Sequence, residues 1–141
     1  MRSIKLVNQP TPTSCTSACL AMVTGLDVHD IIAEFHDDWH SQKTNPAEFL
    51  KSKGFEFVTN TNPFSNIMKW GKVYLLSVAS LNIQGGLHHI IADMRGDQEV
   101  ILDPNNGKDG KKFYTGWSEK SENPLAVELR AWMVDGEVLV L

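Results

Sequence analysis

The chain has only two cysteines, Cys15 and Cys19, four residues apart. On one helix such a pair is poorly placed to form a disulfide with itself, so the default expectation is a reducing, intracellular (cytoplasmic) setting. No run is apolar for long enough to make a transmembrane helix, and the first residues lack the apolar centre of a signal peptide. Strong charge is also missing. A net charge of −4 gives no electrostatic reason to expect nucleic acid or a membrane surface as a partner. There is no internal repeat, no linker and no low-complexity segment, so the 141 residues are expected to make one domain, residues 1–141, with a core of its own.

Charge is locally absent as well. No Asp, Glu, Lys or Arg occurs between Lys5 and Asp27. Within that gap Pro12 stops any upstream helix, Thr13 or Ser14 can cap a new one, and Gly25 ends it. A helix from about Cys15 to Thr24 with no polar face is a buried helix. Cys15 stands at its first turn, where free N–H groups and the positive end of the dipole favour a thiolate. The same cysteine also reads as one more buried small residue.

The first half is otherwise helical. Asp27 is a cap, with Asp30 in the place of a capping box, for a helix whose apolar stripe is Val28, Ile31, Ile32, Phe35 and Trp39. His29, His36 and His40 form a second stripe on its flank. His36 and His40, at i and i+4, outline a metal-binding helix. A zincin would carry a glutamate between them, and here an aspartate stands there, so a solvated polar face is expected. Asn45, Pro46 and Gly54 frame a third helix. Phe55 to Val58 reads as a strand, and Ile67 to Trp70 as a helical turn.

The second half is β-rich. Val73 to Ala79 is nearly all apolar, as a strand buried on both faces would be. Leu87 to Arg95 and Gln98 to Asp103 flank Gly96-Asp97, a two-residue hairpin signal. That turn pairs Arg95 with Gln98, Ile90 with Asp103 and His88 with Asn105. His88 and Asp103 then share a face as diagonal neighbours about 7–8 Å apart at the backbone, and His89 points the other way. A cysteine nucleophile needs such a base and such an orienting group. The same residues also read as two ordinary strand histidines and an Asp-Pro turn. Spacing alone does not choose between the two. Leu125 to Met133 is expected as a short helix or strand, and Glu137 to Leu141 as a closing strand.

Three matches give the chain a likeness. Gln9 stands six residues before Cys15. Cys15-Thr16-Ser17-Ala18-Cys19-Leu20-Ala21-Met22 follows the pattern Cys-Gly-x-x-Cys-Leu-Ala-Met. His88-His89-Ile90-Ile91 and then Asp103-Pro104 follow His-x-Val-Val and Asp-Pro. In these features the chain resembles the bacteriocin-processing peptidases, papain-like cysteine peptidase domains found at the N-terminus of peptide-exporting ABC transporters. The resemblance implies an α+β, papain-like fold with a helical half, including the nucleophile helix, packed on a C-terminal antiparallel β-sheet. It implies Cys15 as nucleophile, His88 as general base, Asp103 as its orienter and Gln9 as oxyanion donor, with no cofactor and no metal. Thr16 departs from the pattern, standing where the family commonly has glycine. No transporter sequence follows, so a free-standing domain is expected.

The expected function is thiol-dependent hydrolysis of a peptide, isopeptide or other amide bond in a peptide or protein substrate. The alternative is a papain-like domain with weak or no turnover that binds a peptide or protein. A third class is a metal site on His36 and His40.

Overall fold

The computed structural model describes residues 2–140, and Leu141, the last residue of the expected closing strand, lies outside the described residues. The chain is α+β. Helices α1 (Cys15–Thr24), α2 (Val28–Ile31), α3 (Asp37–His40) and α4 (Pro46–Ser52) precede the strands, and a π-helical turn, Ile32–His36, joins α2 to α3 in one rod. Strands β1 (Glu56–Thr59), β2 (Val73–Ala79), β3 (Leu87–Asp93), β4 (Val100–Leu102) and β7 (Met133–Leu139) form an antiparallel sheet in the order β1-β7-β2-β3-β4. The short strands β5 (Phe113–Thr115) and β6 (Ala126–Glu128) make a separate parallel pair. Among the described residues no helix is long and apolar enough to cross a membrane.

Helix α1 is buried from Thr16 to Val23, which explains why its sequence has no polar stripe. It packs between the other helices and one face of the sheet. Cys19, Leu20 and Met22 meet Ile31, Phe35 and Leu50 on one side and Val73, Leu75, Ile91 and Val138 on the other. The opposite sheet face, with Tyr74, Leu76, Val78, Ile90 and Ala92, is covered by Tyr114 and Leu129. Strand β2 is therefore buried on both faces, as its unbroken apolar run requires. Burial of a side chain such as Leu76 or Ile90 contributes about 1.5–3 kcal/mol.

The caps follow the sequence in two of three helices. Asp27 accepts from the N–H groups of His29 and Asp30, and Asn45 accepts from that of Glu48. Asp27 thus caps directly, and no bond from the Asp30 carboxylate closes a capping box. Ser14 departs from expectation. Its hydroxyl is spent inside the preceding turn, accepting from Thr11 N–H at 3.0 Å and donating to Thr11 C=O at 3.1 Å, so α1 has no side-chain cap. Gly25 closes α1 in the left-handed conformation, with its N–H on Ala21 C=O.

Three loops also differ. The β3–β4 connection is not a two-residue turn. The Asp93 carboxylate takes the backbone N–H and the guanidinium of Arg95, and Met94 stays bonded to the chain entering β2. The ladder therefore opens at Asp93–Val100 and leaves six residues, 94–99, between the strands. The register survives, since Ile91 pairs with Leu102 and Ala92 with Ile101, in phase with the expected pairing. Ile67 to Trp70 makes no helical turn. Tertiary bonds hold the segment extended, with Trp132 Nε1 donating to Asn66 C=O and Lys69 N–H donating to the Tyr74 hydroxyl. Leu125 to Met133 is split between β6 and the start of β7.

Strand β7 bulges where it pairs with β2. Gly136 faces Leu75 and Val134 faces Leu76, so Asp135 is the extra residue and its side chain is re-aimed. Gly136 leaves room for β1, because a Cβ there would lie 2.4 Å from Phe57 Cζ and 2.6 Å from Val58 C=O. Gly136→Ala is expected to destabilise the fold by about 1–3 kcal/mol, the usual cost of overpacking, read as a lowered denaturation midpoint. An unchanged midpoint would mean that β1 moves aside freely.

Candidate active site

The site is built where β4 stops pairing with β3. After Leu102 the chain turns through 103–106, with Asn106 N–H on Asp103 C=O. Strand β2 continues to cover one edge of β3 at His88 and His89, while the other edge is released. The first residue of α1 sits at that released edge. Cys15, His88 and His89 line one cleft there, and the His88 side chain and the His89 backbone N–H both favour the thiolate of Cys15.

His88 is held from behind. It is 7% exposed and its Nε2 lies 2.7 Å from Asp103 Oδ1. Asp103 is 1% exposed and both of its oxygens are engaged. Oδ1 also accepts from Asn105 N–H at 2.9 Å, and Oδ2 accepts from Tyr114 N–H at 2.8 Å. A carboxylate can only accept, so Nε2 carries the proton and Nδ1 is the nitrogen left for the thiol. Asn105 takes part through its main chain, not as a second orienting side chain.

These contacts set the protonation states. Burial is the largest influence on Cys15 and raises its pKa. The His88 hydrogen bond, the His89 N–H bond and the charge of both imidazoles outweigh it and bring the thiol down from 9.0 to about 7. Burial likewise depresses His88, but its bonds to Asp103 and Cys15 and their charges raise it from 6.5 to about 9. Cys19, one turn further along α1, is fully buried and has no such partners, so desolvation pushes its thiol well above the ordinary value.

A cleft of about 880 Å³ opens over the thiol, and Gln9, Cys15, His88 and Asn105 all line it. The Gln9 backbone is tied to the Asp103-Pro104 turn by its N–H on Pro104 C=O at 3.1 Å, and its C=O accepts from the Lys108 ammonium. Its side-chain Nε2 donates to Thr11 C=O at 3.0 Å, which identifies the nitrogen and leaves its second N–H free. The first N–H groups of α1 have no carbonyl within the helix to bond. Both kinds of donor stand at the site, where they suit negative charge on an oxygen. Gln9→Ala is expected to fold normally and to lower kcat by about 10²–10³, the usual cost of one oxyanion donor. An unchanged kcat would reduce Gln9 to a piece of the lead-in loop.

The structure thus brings together all four residues singled out in the sequence. It also adds residues that spacing did not reveal. Thr16 Oγ1 lies 2.7 Å from His89 Nδ1, His89 Nε2 lies 2.9 Å from Asp135 Oδ2, and Ser77 donates to the same oxygen at 2.7 Å. His89 does point away from His88, on the face of Ile91, but that face is the one that α1 covers. The bulge that aims Asp135 has no local signature and arises only from the pairing of β7 with β2. The rings of His36 and His40 lie tilted against each other with centroids 4.2 Å apart, and His40 lines the cleft that holds Cys15. Among the described residues no three His, Cys, Asp or Glu side chains are grouped to hold a metal ion.

The chain matches no family model and no curated protein.

Proposed function

We propose that the chain is a papain-like cysteine peptidase or a closely related amidase, acting on a peptide or protein substrate. The observation that carries this reading is the row Cys15, His88, Asp103, with the thiol lowered to about 7 and the imidazole raised to about 9. A buried structural thiol does not have these partners. A nucleophile helix packed on an antiparallel sheet that supplies the histidine and the aspartate fits the papain-like arrangement.

In this reading the Cys15 thiolate attacks the carbonyl carbon, and negative charge develops on the oxygen. The free N–H of Gln9 and the backbone N–H groups at the start of α1 receive that charge. His88 gives its Nδ1 proton to the leaving amine, and a thioester remains on Cys15. Water then attacks, His88 takes its proton, and the thiolate is restored. Asp103 holds the imidazole in the required tautomer throughout.

The pH dependence tests the reading directly. Turnover requires deprotonated Cys15 and protonated His88 together. Because the thiol titrates near 7 and the imidazole near 9, that pair is the main form between these values. The rate of fluorogenic-peptide hydrolysis should rise through about 7 and fall through about 9. Iodoacetamide labelling of Cys15 needs only the thiolate, so it should rise through about 7 and not fall above 9. Labelling that rises only near 9.0 would overturn the activated thiolate. A second reading, a peptide-binding domain without turnover, is favoured by one contact, the Gln9 amide held on Thr11 C=O. A covalent peptide vinyl-sulfone adduct on Cys15 separates the two, since simple binding leaves no adduct.

A further inference from the structure

Consecutive residues build a second row beside the first. Cys15, His88 and Asp103 form one. Thr16, His89 and Asp135 form the other, with its own hydrogen bonds at 2.7 and 2.9 Å. We propose that Thr16, His89 and Asp135 are a second catalytic triad, with the Thr16 hydroxyl as nucleophile toward carboxylic esters entering the same cleft. This does not rest on the peptidase reading, because none of its three side chains belongs to that set.

The direction of the protons follows from the carboxylate. Asp135 Oδ2 accepts from Ser77 and from His89 Nε2, so a neutral His89 carries its proton on Nε2. Its Nδ1 then faces Thr16 as an acceptor, and the hydroxyl is the donor. This is the nucleophile-to-base, base-to-orienter sequence that acyl transfer needs. Placement agrees. Thr16, His89, Asp135 and Ser77 all line the cleft that holds Cys15. Thr16 Oγ1 is 3.9 Å from Cys15 Sγ, and both belong to the first turn of α1, whose free N–H groups serve either nucleophile. Trp39 stands beside His89, with ring centroids 6.2 Å apart, and gives the ester an apolar wall.

The reaction balances without a cofactor. Thr16 Oγ bonds to the ester carbon while its proton passes to His89 Nδ1. The carbon–alkoxide bond breaks, and that proton leaves with the alcohol. Water then attacks the Thr16 ester, His89 takes the water proton, and the acid is released as the proton returns to Thr16.

The test uses the folded Cys15→Ala protein, in which the competing thiol is gone. A fluorophosphonate probe should phosphonylate Thr16, forming an Oγ–P bond as fluoride leaves, and mass spectrometry should place the added mass on the peptide containing residue 16. His89→Ala and Asp135→Asn in the same background should slow labelling by about 10²-fold or more. Hydrolysis of p-nitrophenyl acetate should fall in parallel. Thr16→Val should remove the label, with the thermal midpoint checking the fold. Labelling elsewhere, no labelling of Thr16 in the folded protein, or a label indifferent to His89 and Asp135 would overturn the proposal and leave the row as a structural tie between α1 and the sheet.

Discussion

Cys15→Ala is expected to remove peptide-bond hydrolysis, by about 10⁴-fold or more, while the protein stays folded. The size follows from covalent chemistry. With the nucleophile gone, the base and the oxyanion donors no longer act as a set, and the residual rate is that of binding alone. The fold survives because Cys15 is only half-buried and begins a helix that the core already fixes through Leu20, Met22 and Val23. Alanine is also the best helix former at the vacated position. Removing the sulfur leaves the His88 side chain and the His89 backbone lining a cleft that water can fill. The paired measurements are fluorogenic-peptide hydrolysis and the thermal midpoint. Full turnover in a folded Cys15→Ala protein would end the mechanism. Cys19→Ala is the control. Its thiol is wholly enclosed, so activity should persist at a packing cost on the order of 1 kcal/mol.

How much of this was legible in the sequence depended on the range of the interaction. The buried helix was visible because twenty-one residues without a charge leave no solvent face. Strand β2 was visible for the same reason, and its bounds match the apolar run, Val73–Ala79. The β3–β4 register was legible in phase but not in turn length. Pairing phase is set by which faces are apolar, whereas the turn was opened by one side chain, the Asp93 carboxylate closing on Arg95. Ser14 departs from its expected capping role for a similar reason. Its hydroxyl had two competing partners, and the local turn to Thr11 won over the helix N-terminus. The second row of side chains was hidden because it joins four elements. Thr16 comes from α1, Ser77 from β2, His89 from β3 and Asp135 from a bulge in β7 that only sheet pairing creates. Even the nearest two, Ser77 and His89, stand on different strands.

The adjacent histidines give the last test. His88→Ala should lower peptide hydrolysis by about 10²–10⁴-fold, the range for a lost general acid–base group. It should also move Cys15. Burial raises that thiol, and the His88 side chain is the first of the groups that bring it down. Without it the iodoacetamide midpoint should climb from about 7 toward, or past, the ordinary 9.0. His89→Ala should behave differently. The contact from His89 to the thiol that matters most is its backbone N–H, which alanine keeps, and its side chain lies on Thr16 and Asp135 instead. Its labelling midpoint should stay near 7 and its peptide turnover within a few-fold of the parent. The contrast depends on the register of β3 against β4, which places His88 and Asp103 on one face. If His89→Ala were the variant that raised the midpoint and abolished turnover, His89 would be the base and Asp135 its orienter. Cys15 would then remain the nucleophile, served from the opposite face of the sheet.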